Sequence, residues 1–359
     1  MPTDRTEVGR QAWDNFVEDS DEAWLWHRFD LQDALSAWPG TYDLSFAVMD
    51  RASGEGIVAV VPLHLTQSRR MHVFGWNVLN SLGGPACANH LEKKQRRNIL
   101  GFLLARVREL ARKYEAVEVN FSLSPMAPAY RGLQGPRVNP LLGLGCENVM
   151  SQTWIINLKQ GKESIWNNME SRARTAIRKG EKEGLRIRPA SGSTDLEIYY
   201  DLHCETYRRT RVRPHPMEYF RAVWHDFLSQ GLSCVYFAEW GGKPVAAGNF
   251  GIYKRAGIYW TGAANRQGLL LQASSLLQWI AMQWMVDHDV EWYETGEAFP
   301  HLHEGKLRGL DQFKRSFGGE MFPLYRGRMI LKPYKKMSVD FLRETREILT
   351  RYSAGKRRG

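Results

Sequence analysis

One arrangement is written twice along this chain. The first copy opens with an apolar stretch, Tyr42 to Met49, and turns at Arg51-Ala52-Ser53-Gly54-Glu55-Gly56. It continues through the β-rich runs Ile57–Leu65 and Met71–Leu79, then Gly83-Gly84-Pro85, a long helix and the strand-like run Ala116–Phe121. The second copy opens with Cys234–Trp240 and turns at Gly241-Gly242, a hairpin signal. Pro244–Tyr253, Gly257–Thr261, Gly262, a second long helix and Val290–Thr295 follow. Meandering strands, one helix and one more strand form a layered sheet, so the repeat predicts two α+β domains. With a period above about 100 residues it is a duplication and not a solenoid. The expected division is 1–148, 149–334 and a basic tail, 335–359, with the boundary near Gly143 to Met150.

Apolar spacing places both long helices. Leu100, Leu103, Val107, Leu110 and Tyr114 form one stripe; Ala273, Leu276, Leu277, Ile280, Ala281, Trp284 and Met285 form the other. Both stripes are read as core. A third amphipathic helix is expected from Lys162 to Glu183, with Ile165, Met169, Ala173, Ala176 and Ile177 on one face and Gly184 as its stop. Its opposite face carries Arg174, Arg178 and Lys182, with Lys179 beside them. Such a ridge either grips phosphates through guanidinium forks or is a solvated face balanced by Glu170, Glu181 and Glu183. Downstream, Arg208, Arg209, Arg211 and Arg213 crowd a short run before Pro214 and Pro216, and a helix is expected from Met217. A basic loop before a helix start is a candidate anion site.

Charge and cysteine usage narrow the partners. The net charge is +10, which favours anionic partners such as nucleic acid, phosphorylated metabolites or a membrane surface. From Pro323 onward 11 Lys/Arg face three acids, so much of the excess belongs to the tail. The four cysteines form no C-x-x-C pair, which argues against a zinc ribbon or a disulfide scaffold. The polar start, Met1-Pro2-Thr3-Asp4-Arg5, and the lack of a long apolar run predict a cytoplasmic chain with no integral membrane contact.

Four motifs occur in a familiar order. They are Ser171-Arg172-Ala173-Arg174-Thr175-Ala176-Ile177-Arg178-Lys179-Gly180-Glu181-Lys182-Glu183-Gly184-Leu185; Arg213-Pro214-His215-Pro216-Met217-Glu218-Tyr219-Phe220; Tyr259-Trp260-Thr261-Gly262-Ala263; and Glu294-Thr295-Gly296 with Gly309-Leu310-Asp311-Gln312-Phe313-Lys314-Arg315-Ser316-Phe317-Gly318-Gly319. Together they resemble the Fem family of aminoacyl-tRNA-dependent peptidyltransferases and its acyltransferase relatives. The last resembles the family's D-x-G…F-K-x-x-F-G close, the most specific of the four. The first half matches more weakly, through Leu82-Gly83-Gly84-Pro85.

The resemblance implies tandem GNAT-like domains, each a mixed, mainly antiparallel sheet flanked by helices. It also implies amide formation, in which an amine attacks the ester of an aminoacyl-tRNA or the thioester of an acyl-CoA. Lys314 resembles the family's donor-side lysine, a catalytic and donor-binding candidate, with Phe313 and Arg266 beside it. Tyr219 and Trp260 resemble acceptor-facing aromatics, and Arg174, Arg178, Arg211 and Arg213 are further acceptor candidates. For Trp260 core packing is the alternative. Two positions depart from the cell-wall enzymes: His215 replaces an arginine that grips a pyrophosphate, and Ser124 in Phe121-Ser122-Leu123-Ser124-Pro125 replaces a carboxylate. A nucleotide-sugar peptide is therefore in doubt as acceptor, and an amine-bearing metabolite or envelope precursor is expected instead.

The donor has one local handle. A [RQ]-x-x-G-x-[GA] loop cradles the pyrophosphate of acetyl-CoA in GNAT proteins. Here Asn265-Arg266-Gln267-Gly268-Leu269-Leu270-Leu271-Gln272-Ala273 places Leu269 or Leu270 at the glycine position. The expected donor is aminoacyl-tRNA as co-substrate, with acyl-CoA as the alternative and no resident cofactor. Glu297 is the candidate general base, and His301 and His303 read as loop residues. A third reading is a non-catalytic RNA-binding protein using the basic helix and tail. The 13 tryptophans fit stacking in principle but sit mostly in apolar patterns, so core burial is expected.

Overall fold

The computed structural model describes residues 1–50, 56–68, 76–132, 135–302 and 304–338. The first half runs β1 (Pro2–Asp4), α1 (Arg5–Val8), α2 (Arg10–Asp19), α3 (Phe29–Ser36), β2 (Thr41–Asp43), β3 (Phe46–Asp50), β4 (Gly56–Val61), β5 (His64–Ser68), β6 (Trp76–Gly83), β7 (Ala86–Cys87), α4 (Lys93–Lys113) and β8 (Ala116–Leu123). After a turn the chain makes β9 (Glu147–Val149), β10 (Gln152–Asn157), α5 (Gly161–Asn168), α6 (Ser171–Lys182), β11 (Arg186–Pro189), α7 (Ser193–Thr210) and α8 (Met217–Ala222). Then come β12 (Ser233–Trp240), β13 (Lys243–Tyr253), β14 (Ala256–Ala264), α9 (Arg266–Leu270), α10 (Ala273–Asp287), β15 (Trp292–Ala298), α11 (Gly305–Arg315), β16 (Glu320–Pro323) and β17 (Arg326–Ile330).

The described strands form three sheets, ordered β1-β3-β4-β7, β2-β5-β6-β8-β17-β9 and β11-β12-β13-β14-β15-β10-β16. The apolar stretch at Tyr42–Met49 is two strands, and so is Ile57–Leu65. β2 pairs with β5 and β3 with β4, in different sheets. One hairpin is thus bent across two sheets at Leu44-Ser45 and Pro62-Leu63. Leu44 N–H still bonds Leu63 C=O across the bend (2.8 Å), and Pro62, which has no N–H, falls where the ladder breaks. In the second half the Gly241-Gly242 turn joins β12 and β13, with both residues at positive φ as a two-residue hairpin turn requires.

The two helical stripes are core as expected. Leu103, Val107 and Leu110 of α4 cluster with Leu79, Val119 and Phe121; Leu276, Leu277, Ala281 and Met285 of α10 cluster with Ala246, Phe250 and Tyr293. The expected single helix from Lys162 to Glu183 is two. Met169 is extended (ψ 145°) and ends α5, and α6 begins at Ser171. The apolar stripe survives the break, because Ile165, Met169, Ala173 and Ile177 are all buried.

A third core joins the halves. Trp13, Trp24, Leu25 and Leu31 from the N-terminal helices pack with Tyr199, Phe220, Phe227 and Phe237, and Trp24 Nε1 donates to Tyr253 C=O at 2.9 Å. The chain also returns. β17 pairs antiparallel with β8 and β9, so residues 326–330, read with the second half, complete the first half's sheet. Residues 333–338 are helical, and the rest of the expected tail lies outside the described residues. Among the described residues no helix is long and apolar enough to cross a membrane.

Candidate active site

The second-half sheet opens between its two parallel strands. β14 and β15 pair only through Ala256–Ile258 and Trp292–Glu294. Beyond that point β14 pairs only with β13, and β15 only with β10. Both outer ladders shift register at the parting. Trp260 is skipped between the pairs Asn249–Thr261 and Phe250–Tyr259, and Thr295 between Trp154–Gly296 and Ile155–Glu294. A bulge bends its strand and increases local twist, so two bulges just past the last parallel pair turn β14 and β15 apart. At the wide end Ala264 is held by α7. Its N–H donates to Thr206 Oγ1 (2.9 Å), and its C=O accepts from Thr206 Oγ1 (3.0 Å) and Arg209 Nη1 (2.8 Å).

Lys314 reaches β15 beside this wedge. Asp311, one helical turn earlier, accepts from Trp154 Nε1 and from Phe299 N–H, both at 2.9 Å, and so pins α11 against β10 and the end of β15. Lys314 is then directed at the strand, and its Nζ donates to Glu297 C=O at 2.9 Å. Gly296 has φ +109°, and a Cβ there would lie 2.8 Å from that ammonium, so both the conformation and the approach require glycine. Lys314 is 8% exposed. Burial lowers its pKa, against the opposing pull of Glu294, Glu297 and Asp311.

The two carboxylates nearby differ in kind. Glu297, the candidate base, is held by Arg326 Nη1 and Nη2 (2.7 and 3.0 Å) and by Ser151 Oγ (2.6 Å). Burial pushes its carboxyl up, but the Arg326 fork and Ser151 outweigh that and hold it below the ordinary range. A carboxylate so satisfied is a poor proton acceptor, and Glu297 is better placed as an ion-pair partner. Glu294 is 4% exposed and accepts from Thr153 Oγ1 at 2.6 Å. Burial raises its pKa to about 7, against the Thr153 bond and the Lys314 charge. Sequence reading noted Glu294 only as part of a motif. Thr153, Ser151 and Arg326 had no local signal, since the pairs they form span from 29 to 146 residues.

The aromatic candidates lie inside. Tyr219 is 3% exposed, with ring centroids 4.4 Å from Trp38 and 6.2 Å from Trp260. Trp260 also meets Trp26 (5.4 Å) and Phe227 (5.6 Å), so the bulged residue packs against an aromatic wall that the N-terminal segment completes. His215 sits 5.0 Å from Trp38, and its N–H and Nδ1 are both 3.1 Å from His203 Nε2. Burial lowers His215 to about 4, and burial with the neighbouring His215 lowers His203 to about 3. His215 is therefore neutral near pH 7 and cannot replace an arginine at a pyrophosphate.

The basic candidates divide. Arg174 Nη1 donates to the C=O groups of Asn167 (3.1 Å) and Met169, capping the end of α5. Arg178 lies over Trp166 at 5.4 Å, and Lys179 Nζ donates to Leu270 C=O at 2.8 Å. On α6 Arg174 is therefore committed to the α5 cap, while Arg178, Lys179 and Lys182 stay exposed, two of them also in contact with neighbouring groups. Arg208, Arg211 and Arg213 are also exposed, at the end of α7 and in the loop after it, and Arg266 is exposed at the start of α9. Lys306 Nζ, on α11, donates to Thr210 C=O at 2.9 Å and closes the same rim. Phe313 packs edge-on to Phe317 at 5.0 Å. Ser124 is buried, and its Oγ accepts from Met126 N–H (3.2 Å), an element of turn structure. His303 lies outside the described residues. Among those described, no three His, Cys, Asp or Glu side chains gather as metal ligands.

Behind Arg326 the first-half sheet carries a cavity of about 350 Å³. It is lined by Asn80, Asn120, Ser122, Arg326 and Arg328 among others. Asn120 Nδ2 donates to Asn80 Oδ1 and Glu118 Oε1, both at 3.3 Å, and Asn80 Nδ2 donates to Thr66 Oγ1 at 3.1 Å, so a polar row crosses the sheet. One residue, Arg326, touches both this cavity and Glu297.

Comparison with known proteins places the architecture. Residues 167–315 match the acetyltransferase (GNAT) domain family. The fold is similar to a crystal structure of FemX, with TM-score 0.69 and 14% identity over 94% of this chain and 99% of that one. It is also similar to the C-terminal domain of a putative lysylphosphatidylglycerol synthetase from Agrobacterium fabrum, with TM-score 0.56 and 14% identity over 92% of this chain and 94% of that one. A tandem GNAT protein from the clavulanic acid biosynthesis pathway matches with TM-score 0.53 and 12% identity, over 92% and 97%. No curated protein sequence matches.

Proposed function

We propose that this GNAT-fold acyltransferase, built like FemX from two such units, moves an aminoacyl group from an aminoacyl-tRNA to the amine of a small or precursor acceptor. The observation that carries the reading is the wedge between β14 and β15, with the Lys314 ammonium beside it and arginines around its wide end. A slot between parallel strands can hold an extended acyl donor, and a cationic rim suits a polyanion. The donor loop favours tRNA over CoA. α9 occupies it, and Leu269 and Leu270 are exposed where a phosphate-cradling loop would need glycine.

The acceptor amine attacks the ester carbonyl; a C–N bond forms, the C–O bond breaks, and the ribose oxygen leaves as a hydroxyl, so the proton the amine sheds ends on that oxygen. Glu294 is suited to take the proton that the amine sheds, since its pKa near 7 matches the task. Lys314 is suited to steady negative charge on the carbonyl oxygen or on the terminal phosphate. The polar row and arginines behind Arg326 suit an acceptor with hydroxyl or anionic groups.

The test is donor binding. The chain is titrated with a pool of charged tRNAs and separately with acetyl-CoA and longer acyl-CoAs, using wild type and Lys314→Ala. Retention of one charged tRNA, weakened by Lys314→Ala, supports the reading and names the amino acid. Binding of an acyl-CoA with indifference to tRNA moves the chain to the second reading, an acyl-CoA N-acyltransferase. The match to the acetyltransferase (GNAT) domain family favours that alternative, while the wedge suits either donor.

A further inference from the structure

We propose that the outer face of α4 docks on the surface of an anionic lipid bilayer. The inner face is spent on the core through Leu103, Val107, Leu110 and Ala111. At 100° per residue Lys94, Arg97, Arg108 and Arg112 fall along one exposed line, with the small residues Gly101 and Ala105 between them. The helix carries eight Lys/Arg against a single acid, Glu109. Arg96 and Arg106, off that line, are ion-paired with Glu22 and with Glu109. The four on the line have no carboxylate partner among the described residues.

Apolar side chains are exposed beside the cations. Phe102 is 42% exposed on one flank. On the other, a groove of about 330 Å³ runs between α4 and the turn Pro140–Leu144; Leu100, Leu104 and Leu144 form its floor, and Lys93, Arg96 and Arg97 its rim. In or next to that turn Leu142 is 43% exposed and Val138 67%. Cations that meet headgroup phosphates, beside aromatic and aliphatic groups that enter the acyl boundary, are what an interfacial helix presents. A nucleic acid would use the cations and leave the leucines and valine in water, so the bilayer is favoured.

The test is sedimentation of the full chain with vesicles of phosphatidylcholine alone and of phosphatidylcholine with phosphatidylglycerol. Binding should be at least about tenfold stronger on the anionic vesicles, and Arg97→Glu/Arg108→Glu should remove that preference. Phe102→Ser should weaken binding about threefold at physiological salt, where charge is screened. Unchanged thermal unfolding of these surface variants shows that they fold. Lys314→Ala should bind vesicles as wild type does, so this result stands apart from the transfer reading. Equal binding to both vesicle types, or vesicle binding indifferent to the charge reversal, overturns the proposal. So does a charge reversal that weakens binding to a tRNA hairpin while vesicle binding persists.

Discussion

The two halves share a plan, and beyond the first half's bent hairpin they differ at their parallel ladder. In the first half β6 and β8 run parallel and stay paired from Asn77–Ala116 to Gly83–Leu123. Their one register shift lies at the start, between Asn77 and Val78, so the ladder is zipped to its far end. In the second half β14 and β15 part after three pairs, because bulges at Trp260 and Thr295 bend both strands where pairing stops. The same fold is thus a closed sheet with a polar face in one copy and an open wedge in the other. The placement of bulges leaves a slot in one half and a continuous sheet surface in the other.

The largest expected effect breaks this contrast at the wedge. If the wedge is the transfer site proposed above, Lys314→Ala should reduce transfer by at least about a hundredfold in single-turnover assays, a preorganised charge beside it being removed. Retained turnover would return the wedge to packing. Glu294→Gln should follow, with a loss of about ten- to a hundredfold. Its signature is in pH. A base with a pKa of about 7 is active in its ionised form above that value, so wild-type rate should climb with pH through neutrality and level off, and the variant should lack that limb. A limb that persists in Glu294→Gln would assign the base elsewhere. Folding raises this pKa above its ordinary 4.5, so the stability linked to the protonated group is present at pH below 4.5 and is lost as pH rises through about 7.

On the closed side, Asn120→Ala should raise the acceptor KM about tenfold with kcat and donor binding retained, because it breaks the polar row and leaves the wedge intact. An equal effect on donor binding would mean that the halves do not divide the substrates. Smaller effects test the arginines that carry structure. Arg174→Ala should cost about 1 kcal/mol in denaturant unfolding, the α5 cap being lost, with transfer unaffected. Arg326→Gln breaks a half-exposed ion pair between the halves and should cost only about 0.5 kcal/mol, while acceptor KM moves more than stability does.

Local pattern made much of the fold legible. Apolar periodicity located α4 and α10, the glycine pair located a hairpin, and the repeat announced two α+β units. It failed where a contact overrode a continuous pattern. The stripe from Ile165 to Ile177 has no interruption, yet Met169 is extended, and Arg174 reaches back to cap the carbonyls freed by the break. The F-K motif made Lys314 a candidate, but spacing could not show that Asp311 pins its helix against Trp154 and Phe299. Nor could it show that Glu297 is consumed by Arg326, whose partner strand lies in the other half's sheet. Tyr219 and His215 stand as acceptor candidates because they fall at positions of a motif that resembles the Fem family's. Trp38, far away in sequence, closes over both and leaves them packed and His215 neutral.

By itself the sequence determined which segments become strands and helices and which faces are buried, since both follow from side-chain type at a fixed period along the chain. It also determined that a lysine follows Asp311 by one helical turn. Only the tertiary structure decided that β14 and β15 part while β6 and β8 do not, because bulges exist in the register between strands and have no spacing of their own in one strand's sequence. It also decided that two neighbouring glutamates shift in opposite directions, Glu294 upward by burial and Glu297 downward beside Arg326. A pKa is set by whatever burial and charge the fold brings near, and here those come from residues many positions away.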